Sequence, residues 1–190
     1  VSFDTPSTDP TTITPSAATV CAGSVLTLTA SGGTLGSGGD DWVWYEGGCG
    51  PAGTFVQNTG TSATLNLTAP ATAGTYDYFV RAEGGCGGNT NCATVSIVVE
   101  EASSTPTITA SPATLCGPGN SDLTISGTLG TGSVWEVYEG GCGTGAGGTL
   151  VSSGTTSPVT VTPTITTDYF VLATASTSGV CAATACDNAT

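Results

Sequence analysis

The chain has 190 residues, a formal charge of −13 from fourteen carboxylates against a single cation, and 29 glycines; it has no His and no Met, and Arg81 is its one basic residue. Binding to nucleic acid or to anionic lipid rests on Lys and Arg contacts to phosphate, so this charge excludes both as direct partners. No run approaches the ~18 consecutive apolar residues of a membrane span, which excludes direct membrane insertion.

The length admits one large domain or two of about 95 residues. Few strong helix formers occur, and the Thr-, Val-, Tyr- and Phe-rich stretches alternate with a period of two rather than 3.6, which predicts β-structure. The missing Met implies a gene start upstream of Val1, with a signal or further chain removed. Eight cysteines without one His, and without a C-x₂-C knuckle, argue against zinc. An even count at repeated spacing predicts four disulfides, formed in an oxidising compartment, hence an extracellular, cell-surface location.

In chain order, Val1-Ser2-Phe3-Asp4-Thr5-Pro6 has no role that a first strand requires, and residues 1–9 are set apart from the domain that follows. Strands are then expected at 12–19 (A), 25–30 (B), 41–46 (C), 54–57 (C′ or D), 63–67 (E), 75–82 (F) and 93–99 (G), each bounded by Gly, Ser, Pro or Asn clusters. Leu26, Leu28 and Ala30 alternate with Val25, Thr27 and Thr29, the pattern of a half-buried antiparallel strand. Trp42 and Trp44 are i and i+2 on strand C and point the same way, inward. Seven short strands with Trp on the third predict an all-β, immunoglobulin-like β-sandwich over residues 10–100. A short acidic linker, Glu100 to Pro106, leads to a second over 101–190, with the two expected end to end.

The second half repeats the first. Cys21, Cys49, Cys86 and Cys92 recur as Cys116, Cys142, Cys181 and Cys186 at offsets of 95, 93, 95 and 94. Trp42-Val43-Trp44-Tyr45-Glu46-Gly47-Gly48-Cys49-Gly50 returns as Trp135-Glu136-Val137-Tyr138-Glu139-Gly140-Gly141-Cys142-Gly143, and Asp77-Tyr78-Phe79-Val80 as Asp168-Tyr169-Phe170-Val171. Tyr78 and Tyr169 are therefore read, with Trp42, Trp44 and Trp135, as core aromatics.

These motifs carry a resemblance. Tyr-Glu-Gly-Gly-Cys-Gly after a Trp strand, then Tyr-Phe-Val-x-Ala leading into a Cys-bracketed loop, resembles the tandem repeats of very large Bacteroidetes surface proteins, including adhesins of the gliding-motility type exported by type IX secretion. The resemblance covers nearly the whole chain and implies a disulfide-stapled module of a surface adhesin or filament. The same module also decorates secreted enzymes, and the terminal secretion signal of a complete member is absent here, which implies an internal piece.

Strand order suggests the disulfides. Cys21 precedes strand B and Cys49 follows strand C, so both belong to one pole; Cys86 ends F and Cys92 begins G, at the other. A Cα separation under roughly 7 Å then favours Cys21–Cys49 and Cys86–Cys92, and by repetition Cys116–Cys142 and Cys181–Cys186.

Catalysis needs a base, an acid or an activated nucleophile, and only carboxylates are present to serve. Glu46 and Glu139 are the sharpest candidates, but their duplication at one repeat position marks a structural role, and no enzyme activity or cofactor is expected. Asp40-Asp41 has the oxygen density of a calcium site but its counterpart, Ser133-Val134, has none, so a solvated turn is expected. Trp42, Trp44, Tyr45, Trp135 and Tyr138 are core candidates before they are a sugar platform. Arg81, with Leu172 as counterpart, is expected to pair with a nearby carboxylate. Asn66-Leu67-Thr68 and Asn188-Ala189-Thr190 match the glycosylation pattern, and surface glycans are a second class of partner.

The two ends read as halves of one strand. The first repeat closes with strand G, whose Ala93-Thr94-Val95-Ser96-Ile97 is closely matched by Ala189-Thr190 followed by Val1-Ser2-Phe3. Residues Val1, Ser2, Phe3 and Asp4 are thus expected to complete the second domain of a preceding copy, head to tail. The seam needs no inserted residue, which favours one period of a longer polypeptide over a strand donated between separate chains. The primary reading is a structural or adhesive repeat of an extracellular filament; the alternative is a carbohydrate-binding or spacer module of a secreted enzyme.

With Arg81 the only basic residue, trypsin is expected to cut even the reduced, unfolded chain into two fragments only, 1–81 and 82–190. Mass spectrometry of the digest checks this; cleavage at any second site would contradict the sequence.

Overall fold

Alternation decides which way each strand faces. The computed structural model describes all residues from Val1 to Thr190, and the chain forms two units, Val1–Val99 and Glu100–Thr190. In the first, β1 (Thr12–Pro15), β3 (Val25–Ser31) and β6 (Thr64–Thr68) make one antiparallel sheet, ordered β1-β3-β6. The other is ordered β2-β8-β7-β4-β5, from β2 (Thr19–Cys21), β4 (Asp41–Glu46), β5 (Thr54–Asn58), β7 (Gly74–Glu83) and β8 (Ala93–Glu100). Leu26, Leu28 and Leu65 from the first sheet meet Trp44, Tyr78, Val80, Ile97 and Val99 from the second, all fully buried. This is the two-layer packing of an immunoglobulin-like sandwich.

The single strand expected at 12–19 is instead two strands in different sheets. Pro15 lacks the N–H that a longer ladder needs. Pairing with β3 ends where Ser16 N–H donates to Thr27 O (2.8 Å), and the chain has changed sheets by Ala18, whose carbonyl accepts from Val98 N–H (2.9 Å).

The second unit repeats the plan. Strands β9 (Thr107–Ser111), β10 (Ser121–Ser126) and β13 (Val159–Val161) form one sheet, ordered β13-β10-β9. Strands β11 (Trp135–Glu139), β12 (Thr149–Gly154), β14 (Tyr169–Ala173) and β15 (Asp187–Ala189) form the other, ordered β12-β11-β14-β15. Trp44 pairs with Val80 and Val137 with Val171, and each strand carries a bulge at the next residue, Tyr45 or Tyr138. Glu46 opposite Tyr78 matches Glu139 opposite Tyr169.

The disulfides correct the expected pairing. Cys49 bonds Cys92 and Cys142 bonds Cys186, each with a Cα separation of 6.0 Å. Cys21 and Cys181 are also disulfide-bonded, whereas Cys86 and Cys116 are exposed thiols, so none of the four expected pairs forms and two of the eight cysteines are not oxidised. The error lay in placing Cys49 at a pole because it follows strand C. Gly47 N–H donates to Asp77 O (2.8 Å), and the chain then doubles back over the outer face of β7. A Cβ on Gly50 would stand 2.5 Å from the Arg81 guanidinium, and one on Gly53 only 2.1 Å from Gly48 O. The second unit keeps both features: Gly140 N–H donates to Asp168 O (3.0 Å), and a Cβ on Gly148 would stand 2.2 Å from Gly141 O. The loop after strand C is thus a strap laid across strand F, and its cysteine reaches the residue just before strand G.

The Cys49–Cys92 bond closes 43 residues of sequence and should contribute about 2–4 kcal/mol to the first unit. Replacing both cysteines with Ser is expected to lower the urea midpoint of that unit while leaving the transition of the second unchanged; tryptophan fluorescence during urea unfolding reads this.

Candidate assembly interface

The segment before each sandwich is held by the same bonds in both units. Thr5 N–H donates to Ser37 Oγ (2.8 Å) and Ser37 N–H to Thr5 O (3.1 Å). Glu101 N–H donates to Thr131 Oγ1 (2.9 Å) and Thr131 N–H to Glu101 O (3.0 Å). Gly36 N–H donates to Ser7 Oγ (2.8 Å), as Gly130 N–H does to Ser103 Oγ (2.9 Å). Thr8 N–H donates to Thr34 O (2.9 Å), as Ser104 N–H does to Thr128 O (3.0 Å). A Cβ on Gly36 would stand 2.0 Å from Thr5 O, and one on Gly130 2.2 Å from Glu101 O, so both contacts admit only glycine. The Cys86 thiol donates to Asp4 O (3.4 Å), and Cys181 Sγ lies 3.3 Å from Glu100 O. Residues 4, 5, 7 and 8 are therefore the counterparts of 100, 101, 103 and 104.

Counting back one residue at a time, Val1 corresponds to Ile97 and Phe3 to Val99. Ile97 and Val99 are 0% and 1% exposed in the core of the first unit, whereas Val1 and Phe3 are 118% and 89% exposed. The 187 residues that follow Phe3 leave it exposed, although its counterpart is a core residue.

The second unit arrives at the same place from the other side. Ala93 pairs with Val80 and Asp187 with Val171, so Asp187 is the counterpart of Ala93 and Thr190 of Ser96. A side-chain bond agrees: Ser96 Oγ donates to Asp77 Oδ1 (2.5 Å), and Thr190 Oγ1 to Asp168 Oδ1. Thr190 stands at the position of Ser96 and Val1 at that of Ile97, which are neighbours. The register read from sequence, with Val1 on Val95, is corrected by two residues, because Cys92 and Cys186 fix the start of the strand where a match of residue letters does not. A shift of two keeps every side chain on its face.

Around this position the second unit differs from the first. Strand β7 pairs with β8 from Val80 back to Gly74, but the corresponding residues 165–168 form no strand and β14 begins at Tyr169. The first unit has β2 beside β8; residues 114–116 form no strand. A cavity of about 380 Å³ opens there, its walls including Leu115, Leu123, Ile165, Tyr169 and Thr190. Val20, Leu28 and Tyr78, counterparts of Leu115, Leu123 and Tyr169, are in one core cluster with Ile97 and Val99. Ile165 is 77% exposed. Of these walls the sequence singled out Tyr169 and Thr190 but not Leu115, Leu123 or Ile165. The spacing of Thr5, Ser7 and Thr8 against Glu101, Ser103 and Ser104 was the signal available for the anchor.

The remaining candidates are structural. Trp42, Trp44, Trp135, Tyr45, Tyr138, Tyr78 and Tyr169 are all buried, so no row of Trp rings faces solvent. Arg81 pairs with Glu83 (2.6 Å) and stacks over the Tyr45 ring at 5.6 Å, under the strap. Asp40 is buried and accepts from Ser7 Oγ and from Gly36 N–H (3.2 Å), serving the anchor. No group of three or more His, Cys, Asp or Glu is placed to hold a metal ion, and no helix is long and apolar enough to cross a membrane. Asn66 is exposed and accepts from Thr27 Oγ1 (2.7 Å).

No family model matches the chain, and no curated protein matches it. Among solved structures, a chain of the mouse coronavirus receptor-binding domain complexed with its murine receptor is similar at 13% identity and TM-score 0.50, covering 94% of this chain and 96% of that one. Murine CEACAM1b follows at 14% identity and TM-score 0.49, with 93% and 96% covered. A two-domain fibronectin type III segment of chicken tenascin has 11% identity and TM-score 0.47, with 94% and 96% covered. The likeness, at a TM-score of 0.50, is one of fold alone.

Burial, with Glu46 opposite, pushes the Tyr78 hydroxyl up to about 12, and burial with Glu139 raises Tyr169 likewise. An unfolded tyrosine ionises near 10. The folded state therefore holds its phenolic proton more tightly, and this stability is whole below pH ~10 and is lost as pH rises towards ~12. Tyr78 Oη is buried without a hydrogen-bond partner, so Tyr78→Phe should be neutral or mildly stabilising at pH 7 and should flatten the alkaline loss. Thermal melts of thiol-blocked protein between pH 8 and 12 test this; an unchanged alkaline slope in the variant would refute it.

Proposed function

We propose that this chain is the repeating unit of an extracellular structural or adhesive fibre, in which Val1–Asp4 of one copy complete the last strand of the second unit of the preceding copy. One observation carries the reading: counting from the anchor of the first unit and from strand β15 of the second reaches the same seam, Thr190 followed by Val1, with no residue missing or spare. At that position the structure has a cavity on one side and two exposed apolar side chains on the other. Val1 and Phe3 enter the cavity, Ser2 faces out as Val98 does, and Asp4 takes the place of Glu100. Antiparallel pairing then extends β14 back through 165–168 and gives 114–116 a strand to join, which satisfies an otherwise open edge. The contact is heterologous and does not close on itself, so it propagates as a filament. Successive copies as periods of one polypeptide fit the seam, which needs no linker; a strand donated between separate chains uses the same contacts.

Disulfides, acidity and hydroxyl-rich faces support a location outside the cell, and the resemblance of the Tyr-Glu-Gly-Gly-Cys-Gly repeat to those of giant surface adhesins supports the same class. The repeated position of Glu46 and Glu139 beneath core tyrosines supports a non-catalytic role.

Burying Val and Phe side chains contributes about 1.5–3 kcal/mol each. A chain extended after Thr190 by Val-Ser-Phe-Asp-Thr fills its own cavity. It is expected to melt several degrees higher in the second unit and to stay monomeric in sedimentation velocity. The unextended chain associates with rising concentration, and Phe3→Asp abolishes that association without changing the circular dichroism. An extension that leaves the melting of the second unit untouched, or a Phe3→Asp chain that associates like the parent, sinks the proposal.

A further inference from the structure

The two exposed thiols remain unexplained by a disulfide-stapled fold. Each of the two repeat positions involved holds one oxidised and one reduced copy. Cys21 is in a disulfide and its counterpart Cys116 is not; Cys181 is in a disulfide and its counterpart Cys86 is not. The chain is thus left with one thiol of each class, which makes it complementary to a second copy of itself rather than to an unrelated thiol.

Geometry within each unit places these thiols at the two sides of the seam. Leu115 and Gly117, the neighbours of Cys116, line the cavity that receives Val1–Phe3. Cys86 is bonded through its thiol to the carbonyl of Asp4, the residue that follows Phe3 (3.4 Å). A strand seated in the cavity therefore carries Cys86 to the cavity mouth beside Cys116. In the first unit the corresponding cysteine, Cys21, lies at the end of β2, next to the strand that contains Ile97 and Val99, and it is oxidised.

We infer that Cys116 of one copy and Cys86 of the next form a disulfide that locks the seam. The inference rests on the head-to-tail reading above. The two thiols lose two protons and two electrons to a disulfide oxidant. The Cys116 thiolate attacks one oxidant sulfur and expels the other as a thiol; the Cys86 thiolate then attacks Cys116 Sγ, forms the new S–S bond and expels the second oxidant thiol. The bond converts a contact held by a few buried side chains into a covalent one, suited to a fibre under tension.

The 190-residue chain is incubated with oxidised glutathione and analysed on denaturing gels without reductant. The expected result is a ladder of multimers, with peptide mapping after cleavage at acidic residues joining the Cys86 and Cys116 peptides. Cys86→Ser and Cys116→Ser chains should each still associate in sedimentation but give no ladder, and their equimolar mixture should give covalent dimers and nothing longer. Association of the mixture without covalent dimers overturns the disulfide and leaves the strand reading standing. Covalent dimers from either single variant at the level of the mixture also overturn it, since they show indiscriminate thiol oxidation. Absence of association in every sample, reduced or oxidised, overturns the head-to-tail reading and the disulfide with it.

Discussion

Pairing between strands F and G is the constraint on which the rest depends. In the first unit β7 and β8 are in register from Val80 with Ala93 to Gly74 with Val99, and that ladder brings Ile97 and Val99 into the core opposite Leu28. A sandwich is two sheets sharing apolar faces, and its edge strands carry core residues as well as backbone bonds. Where the ladder runs its full length, a tenth strand residue, a neighbouring β2 and fully buried Tyr78 all follow. Where it stops at Tyr169 with Ala189, the lower half of strand F, the β2 equivalent and the closure of the core are absent together. These are one difference seen in three places.

The strap disulfides secure the other end of the same ladder. By joining the C–C′ loop to the residue before strand G across strand F, Cys49–Cys92 and Cys142–Cys186 set where G begins and hence its register. That is a use of disulfides suited to glycine-rich domains, whose cores are small and whose loops are entropically costly to order. The glycines around the strap are required by close approach rather than by flexibility, since a methyl group at Gly53 or Gly148 would collide with a carbonyl oxygen. The anchor formed by Thr5, Ser7 and Thr8 does the same for the entering segment, with hydroxyls and backbone amides in place of sulfur.

Much of this was legible in the residues. Alternation in Val25–Ser31 gave the buried face of β3, the repeated Trp strand gave β4 and β11, and the doubling of four cysteines gave two units. The proposed seam was drawn from the residues too, from a likeness between the chain's two ends. The disulfide partners were not, nor was the two-residue correction to the seam, nor were the cavity walls Leu115, Leu123 and Ile165.

Local sequence determined strand positions, facing and repetition because those follow from period-two patterning and from turn residues, each set by near neighbours. Only the tertiary structure decided which cysteines meet. Disulfide pairing depends on where a seven-residue loop lies in space, and the loop's path over Arg81 is fixed by Gly47, Gly48 and Gly53 acting together against a strand some thirty residues away. Likewise only the structure could show that residues 4, 5, 7 and 8 are held as 100, 101, 103 and 104 are, and so that Val1 and Phe3, exposed here, are the counterparts of the core residues Ile97 and Val99.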